Sequence, residues 1–295
     1  MPSTELKLAL EIDARNRDEA GISPDLLDVD AARRSLPDLG MDLPPGYTEC
    51  ETRIRDVPVW RLGTVAHARG PLIVYCHGGG FVAGSLASHR ALVAWLAHSA
   101  QGHVLFVDYT LAPEAQFPLQ IDQTASVLQA ALAGEVEDSP VFIAGDSAGA
   151  CIALSALTKA RDSDLAQPAA AIALCGMVDI DPSRSAFSNA NPRIREMVRA
   201  YLGEVAVSDP LANPGIADLA GLPPLLLQTG AADGCRPDVE RFHRRAVAAG
   251  VDATLSVWPE MFHVWHRFAP LLSSASMALA EVGAFVTAHL PPSKS

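Results

Sequence analysis

Ser147 is the first residue whose surroundings indicate chemistry, because it lies in Gly145-Asp146-Ser147-Ala148-Gly149 between two regular segments. The apolar run 141–144 predicts a buried strand, and residues 150–160 predict a helix. A strand, a tight turn and a helix together form a nucleophile elbow, which exposes the serine hydroxyl at the turn. Amide groups at the start of the helix, here that of Ala148, would stabilise negative charge developing beside it. The alternative is an ordinary glycine-rich turn with a capping serine.

A second glycine-rich segment, His77-Gly78-Gly79-Gly80-Phe81, follows another apolar run. Successive glycines can direct backbone N–H groups at one point, which suits an oxyanion hole for a tetrahedral intermediate. We predict that the amides of Gly78 and Gly79, together with that of Ala148, form this hole, and that His77 has a structural role. A phosphate-binding loop is the rival interpretation, but neither GxGxxG nor Gly-Lys-Ser/Thr is present.

A serine needs a base and an orienting carboxylate to act as a nucleophile at neutral pH. Asp233 follows the apolar run 224–229, and His263 follows the run 255–258. Both therefore lie at the carboxyl ends of predicted strands, on the same edge of the sheet as Ser147. We predict that Ser147 attacks an acyl carbonyl, that His263 transfers the proton, and that Asp233 orients the imidazole and stabilises its charged form.

Two neighbours compete for these roles. Asp238 lies shortly after Asp233, and His266 lies shortly after His263. Asp238 follows Pro237 and is better placed to cap a helix predicted over residues 238–249. His266 falls within the predicted start of the last helix.

The elements that must position these residues alternate between short apolar runs and amphipathic stretches. Runs rich in Val, Ile and Leu predict buried parallel strands over residues 71–76, 103–108, 140–144, 170–176, 224–229 and 253–258. Helices are predicted over residues 86–100, 119–133, 148–160, 238–249 and 271–289. Residues 53–60 mix apolar and charged side chains, which indicates an edge strand or an outer hairpin. The alternation predicts an α/β fold whose mostly parallel central sheet is flanked by helices.

Two polar segments do not fit this alternation. Residues 1–46 are predicted to form one or two helices, and residues 182–214 contain one short helix over 193–202. We predict that these segments form a cap over the sheet. Residues 50–181 and 215–295 then form the catalytic core within a single domain spanning 1–295.

Composition and charge exclude several other classes of protein. There are 34 acidic and 22 basic side chains, a net charge of −12, and no basic stripe, so we expect no nucleic-acid partner. The five cysteines form no CxxC pair, which favours reduced thiols in a cytoplasmic protein over a disulfide framework or a zinc site. No signal peptide is visible, and no uncharged apolar stretch reaches the roughly 20 residues that span a membrane.

Over residues 70–290 the sequence resembles the hormone-sensitive-lipase-like esterases. Four blocks carry the resemblance: residues 77–81 as the HGGG oxyanion loop, 109–114 as the Y-R-L-A-P-E block with Thr110 in place of arginine, 145–149 as the GDSAG elbow, and His263 as the catalytic histidine. The resemblance implies an α/β-hydrolase fold with a helical cap. It also implies a serine carboxylesterase that cleaves short- to medium-chain esters.

The resemblance implies further roles as well. Asp146 would support the oxyanion loop or the nucleophile turn, and the cap's underside would include residues such as Met41, Arg193, Met197 and Leu202. Predicted substrate contacts are Phe81, Asp146, Met197 and Val264. No metal or organic cofactor is implied, and a homodimer through the edge strand near Ala253–Trp258 is expected.

Other functions on the same residues stay open. His263-Val264-Trp265 stands where H-G-F is usual, as in a subgroup that includes bacterial lactone hydrolases. Lactone hydrolysis and acyl transfer to an alcohol would use the same triad. A ligand-binding protein on this fold that lacks catalysis is the alternative from another class.

Overall fold

The computed structural model describes residues 2–23, 25–67 and 70–292. Its strands are β1 (Tyr47–Ile54), β2 (Val57–Thr64), β3 (Leu72–Cys76), β4 (His103–Val107), β5 (Val141–Asp146), β6 (Ala171–Leu174), β7 (Leu225–Gly230) and β8 (Ala253–Trp258). Its helices are α1 (Thr4–Glu19), α2 (Val29–Arg34), α3 (Leu86–Ser99), α4 (Leu119–Leu132), α5 (Ala148–Asp162), α6 (Ala186–Ala190), α7 (Pro192–Leu202), α8 (Arg236–Ala248) and α9 (Ser273–Ala288). Within these described ranges, no helix has the length and apolar character that a membrane span requires.

The strands form one sheet in the order β1-β2-β4-β3-β5-β6-β7-β8. β2 pairs antiparallel with β1 and with β4, and every later neighbour pairs in parallel. This confirms the predicted mostly parallel α/β sheet. Residues 53–60 form the tip of the β1–β2 hairpin, where Arg55 and Asp56 adopt φ values of 47° and 66°.

Helices cover both faces of the sheet, and alternate residues of each strand point to opposite faces. In β3, Leu72, Val74 and Cys76 join one apolar cluster, whereas Ile73 and Tyr75 join the other. Helices α4, α5 and α8 contribute to the first cluster, and α1, α3 and α9 contribute to the second. The sheet is therefore a rigid base for the loops at its carboxyl edge.

Two predicted helix starts differ from the structure by two residues each. α8 begins at Arg236, because Pro237 fits the first turn of a helix, where its missing N–H has no partner to lose. Trp265–Phe268 form a separate 3₁₀ turn, so the last helix begins only at Ser273.

The polar segments predicted as a cap contain α1, α2, α6 and α7. On α7, Tyr201 stacks on Phe81 of the glycine-rich loop, with ring centroids 4.0 Å apart. Further along the same loop, Gly80 lies directly against Met197, since a Cβ built on Gly80 would be 2.4 Å from the Met197 sulfur. The helical cap is thus seated on the loop after β3, whereas the division of residues 1–295 into core and cap as one domain stays a prediction.

Candidate active site

Ser147 occupies the turn between β5 and α5 with φ 50° and ψ −119°, a strained conformation for a residue that carries a side chain. Its flanking glycines are required by close backbone approaches. A Cβ on Gly145 would lie 2.6 Å from the carbonyl of Gly149, and a Cβ on Gly149 would lie 2.0 Å from the carbonyl oxygen of Cys76. The segment therefore has the geometry of a nucleophile elbow and not of an ordinary capped turn.

The structure brings the three predicted triad residues together. The Ser147 hydroxyl donates to His263 Nε2 at 2.9 Å, and His263 Nδ1 donates to Asp233 Oδ1 at 2.9 Å. The Asp233 carboxylate also accepts the amide of Cys235 at 2.9 Å and the hydroxyl of Thr229 at 3.2 Å. The imidazole is therefore held in the tautomer that leaves Nε2 free to accept the serine proton.

Electrostatics within the triad favour a base next to a permanent carboxylate. Burial acts to raise the pKa of Asp233, but His263 outweighs burial and holds that pKa below its usual range. Burial acts to lower the pKa of His263, but the Asp233 carboxylate outweighs burial and raises that pKa above its usual range. Asp233 therefore stays ionised and stabilises the imidazolium that forms when Ser147 loses its proton.

Cys175 is a neighbour of the triad that sequence reasoning did not identify. Its sulfur accepts the amide of Val264 at 3.3 Å. Ligand atoms of Cys175, Asp233 and His263 lie within 4.8 Å of one another, but the last two already share a hydrogen bond. Cys175 thus holds the loop that carries His263 through the Val264 amide and lies close to the Asp233 carboxylate.

The two competitors for triad roles are occupied elsewhere. Asp238 Oδ2 accepts the hydroxyl of Ser185 at 2.5 Å, and Asp238 Oδ1 pairs with Arg241 at 2.9 Å. Since α8 begins before it, Asp238 is not the helix cap that the sequence predicted. His266 contacts Gln228 at 3.0 Å, and burial lowers the pKa of His266 to about 3, which keeps it neutral.

One predicted oxyanion donor is wrong. The amide of Gly78 donates to Asp146 Oδ1 at 3.0 Å, so it is not available to a substrate. Gly79 and Gly80 line the cavity in front of Ser147. Among the described residues, the amides of Gly79, Gly80 and Ala148 have no acceptor, so Gly80 replaces Gly78 as the third candidate donor. The run of three glycines indicates that the loop can form an oxyanion hole, but it does not indicate which of the amides are free.

Asp146 and His77 brace this loop from beneath. Asp146 accepts hydrogen bonds from Gly78, from the Tyr75 hydroxyl at 2.7 Å and from His89 at 3.3 Å. His77 bonds through Nδ1 to the Gly78 carbonyl at 2.8 Å, and burial lowers the pKa of His77 to about 3. Asp146 borders the cavity, but its carboxylate oxygens are engaged by Gly78, Tyr75 and His89. This agrees with the predicted role of supporting the oxyanion loop.

The cavity in front of Ser147 has a volume of about 250 Å³. Met197 and Val264 line it, as predicted for substrate contacts. Phe81 does not, and this prediction is wrong: its ring is fully buried against Tyr201 and turned away from the cavity. The sequence also gave no reason to place Arg17 there, because only folding brings α1 over the site.

Among the cap residues singled out from sequence, Arg193 and Met197 line the cavity. Leu202 lies on the far side of α7, in a separate depression with Val198. Met41 packs against the apolar cluster beneath α3 and α9.

Known proteins are similar to this chain in sequence and architecture. A family model described as alpha/beta hydrolase fold matches residues 73–267. An acetyl-hydrolase from Streptomyces hygroscopicus is 33% identical to this chain, covering 97% of both chains. A carboxylesterase of Mycobacterium tuberculosis is 33% identical over 79% of this chain and 76% of its own. A crystal structure of an esterase from the bacterial hormone-sensitive lipase family has a TM-score of 0.90 and 32% identity, covering 99% of this chain and 100% of that one. The chain therefore belongs to the α/β-hydrolase family, in its hormone-sensitive-lipase-like branch of carboxylesterases.

Proposed function

We propose that this carboxylesterase hydrolyses short- to medium-chain esters through an acyl-enzyme on Ser147. The observation that carries the proposal is the continuous chain of two 2.9 Å hydrogen bonds from Ser147 through His263 to Asp233. It lies beside amides whose N–H groups are free to donate to an oxyanion. A protein that only binds ligands has no need of this arrangement.

The reaction follows from that geometry. Ser147 Oγ attacks the ester carbonyl while its proton moves to His263 Nε2, and the oxyanion meets the amides of Gly79, Gly80 and Ala148. The intermediate then expels the alcohol, which takes the proton from His263. Water next gives a proton to His263 and attacks the acyl-enzyme, which releases the carboxylic acid and restores Ser147. The net change is one ester and one water to one acid and one alcohol.

The size of the cavity supports small substrates. Its volume of about 250 Å³ lies below the roughly 300–1,000 Å³ typical of pockets for drug-sized ligands. Met197 on the cap and Val264 after the histidine contribute apolar surface to its wall. We therefore expect short acyl chains to fit beside Ser147 better than long ones.

Hydrolysis of p-nitrophenyl esters from acetate to dodecanoate tests the proposal, with ε-caprolactone measured in parallel and Ser147→Ala as the control. We expect serine-dependent turnover that is fastest at short chains. Absence of turnover on every ester by the folded wild type would contradict it. Faster turnover of caprolactone than of every open-chain ester would favour the lactonase alternative. Formation of a new ester in place of the acid when an alcohol is added would favour acyl transfer.

We also propose a homodimer through β8. In the described part of the chain, β8 ends the sheet and pairs with β7 alone, and Val257 on it is 36% exposed. A charged lysine on an edge strand opposes strand pairing between chains. Light scattering should show Val257→Lys as a monomer and wild type as a dimer, while Thr52→Lys on the opposite edge strand stays dimeric. A monomeric wild type would contradict the proposal.

A cytoplasmic location is our remaining proposal from the chain itself. All five cysteines are free, and Cys50 is exposed, which fits a reducing compartment. Fractionation of cells that produce the full protein tests this, and recovery in the culture medium or periplasm would contradict it.

A further inference from the structure

Three arginines from separate elements converge on the cavity that contains Ser147. Arg17 comes from α1, Arg193 from α7, and Arg267 from the 3₁₀ turn after the catalytic histidine. None of them is needed for the acyl-transfer steps described above. Their positions therefore raise the question of which anionic group they bind.

Arg267 is the most unusual of the three because it is only 7% exposed. Its Nε donates to the carbonyl of Ser88 at 2.8 Å, and its Nη2 donates to the carbonyl of Pro37 at 3.2 Å. Both acceptors are neutral, and no carboxylate pairs with Arg267 among the residues that the structure describes. A buried charge without an ion-pair partner is costly, and burial lowers the pKa of Arg267 despite the attraction of the Asp146 and Asp13 carboxylates.

Arg193 is half-buried and makes no hydrogen bond or ion pair within the described ranges. Burial lowers the pKa of Arg193, and repulsion from Arg17, which lines the same cavity, lowers it further. Arg17 pairs with Asp13 at 2.9 Å, so one of the three charges is balanced at the cavity wall. The carboxylate of Asp146 is already engaged by Gly78, Tyr75 and His89. The cavity thus has an excess of positive charge beside the nucleophile.

We propose that the preferred substrates of this site are esters that carry a carboxylate, held by Arg193 and Arg267; this rests on the esterase function proposed above. A substrate carboxylate in the cavity supplies the direct ion-pair partner that both side chains lack. The planar guanidinium group matches two carboxylate oxygens, and such charge-assisted hydrogen bonds are stronger than neutral ones. The site would therefore select among esters of equal size by their charge.

Two matched substrate pairs test the proposal and show which part of the ester carries the charge. Monophenyl glutarate and the phenyl ester of glutaramic acid differ in charge on the acyl side. 4-Acetoxybenzoate and 4-acetoxybenzamide differ on the alcohol side. We expect kcat/KM to favour the anionic member by about tenfold or more in at least one pair, and the preference to shrink as salt is added.

Variants connect that preference to the arginines. Arg193→Gln and, separately, Arg267→Gln should reduce the anionic-to-neutral ratio of kcat/KM by about tenfold, whereas Arg267→Lys should keep part of it. Arg199→Gln is the matched control, because Arg199 lies on the same helix, 72% exposed, and pairs with Glu196. It should leave the ratio unchanged. The ratio is independent of any general loss of folded enzyme.

The outcomes separate this proposal from the esterase function. The charge preference alone is overturned if, in both pairs, Ser147-dependent hydrolysis of the neutral ester equals or exceeds that of the anionic ester. A preference that Arg193→Gln leaves intact overturns it as well. No turnover of these four esters or of the p-nitrophenyl esters by wild type overturns both proposals together, whereas turnover of the p-nitrophenyl esters alone overturns only the charge preference.

Discussion

Asp233 and Asp238 are near neighbours in the chain and both are buried, yet their carboxylates have different partners. Asp233 faces His263 and the amide of Cys235 at the catalytic edge of the sheet. Asp238 faces Ser185, which precedes α6 of the cap segment, and Arg241.

Arg241 extends the second of these regions, because it also pairs with the buried carboxylate of Asp179 after β6 at 2.9 Å. We call Asp179, Ser185, Asp238 and Arg241 the cap anchor. The catalytic edge places a carboxylate where a proton moves, whereas the cap anchor places two where they hold chain segments together. The role of each aspartate is therefore determined by the element that supplies its partner. It is not determined by the aspartate's position in the chain.

The largest effect is expected at the catalytic edge. Ser147→Ala and His263→Ala should each lower kcat/KM for p-nitrophenyl butyrate by on the order of 10⁴-fold, because each removes a group that the transition state needs. His266→Ala is the control. It should lower the melting temperature through the lost contact with Gln228 but keep kcat/KM within about tenfold of wild type. An active His263→Ala enzyme would remove His263 from the role of base.

Replacing each of the two aspartates separately by asparagine tests the comparison itself. Asp233→Asn should lower kcat by about 10³–10⁴-fold with little loss of stability, since the imidazole loses its orienting charge. Asp238→Asn should instead lower the free energy of unfolding by about 1–3 kcal/mol and leave kcat within about tenfold, because it weakens the anchor. Denaturant unfolding and steady-state kinetics on both variants measure this. The reverse pattern would make Asp238 the triad acid.

The pH dependence of kcat/KM should show the influence of Asp233 on His263. Protonated His263 cannot accept the Ser147 proton, so activity should rise with pH through the pKa of His263 and then level off. The Asp233 carboxylate raises that pKa, so the midpoint should lie above about 6.5 for wild type. In Asp233→Asn the midpoint should shift downwards. An unchanged midpoint would show that the carboxylate does not stabilise the imidazolium.

The smallest effects are expected at the junction of cap and cavity. Met197→Ala should widen the cavity and move the preferred acyl chain towards longer esters, with a change of a few-fold in relative kcat/KM. Phe81→Leu should lower stability by about 1–2 kcal/mol and leave the chain-length profile unchanged, since Phe81 packs against Tyr201 outside the cavity. A shifted profile in Phe81→Leu would restore Phe81 as a substrate contact.

Much of the fold and the triad could be predicted from the sequence because their signals are local. Apolar runs of strand length mark the parallel strands, and Gly145 is required by its close approach to Gly149 within the elbow. Asp233 and His263 each follow a strand, so the parallel arrangement alone brings them to the edge of Ser147. Chain order then indicates their roles.

The remaining features depend on contacts between distant segments. Gly78 is excluded as an oxyanion donor because β3 pairs with β5, with Cys76 opposite Gly145, which brings Asp146 beneath the loop. Phe81 faces away from the cavity because α7 offers Tyr201 as a partner. No local pattern indicates either contact, nor the meeting of Arg17 with Arg267.

The account rests on an acyl-enzyme at Ser147 that His263 forms and then removes. Rapid quenching of the wild type with p-nitrophenyl butyrate, followed by intact mass and peptide analysis, tests this directly. We predict the added mass of one butyryl group on the peptide that contains Ser147, decaying as free butyrate appears, and no addition in Ser147→Ala. Catalytic turnover with no acylated Ser147 at any time, or acylation of another residue at the rate of turnover, would contradict the account.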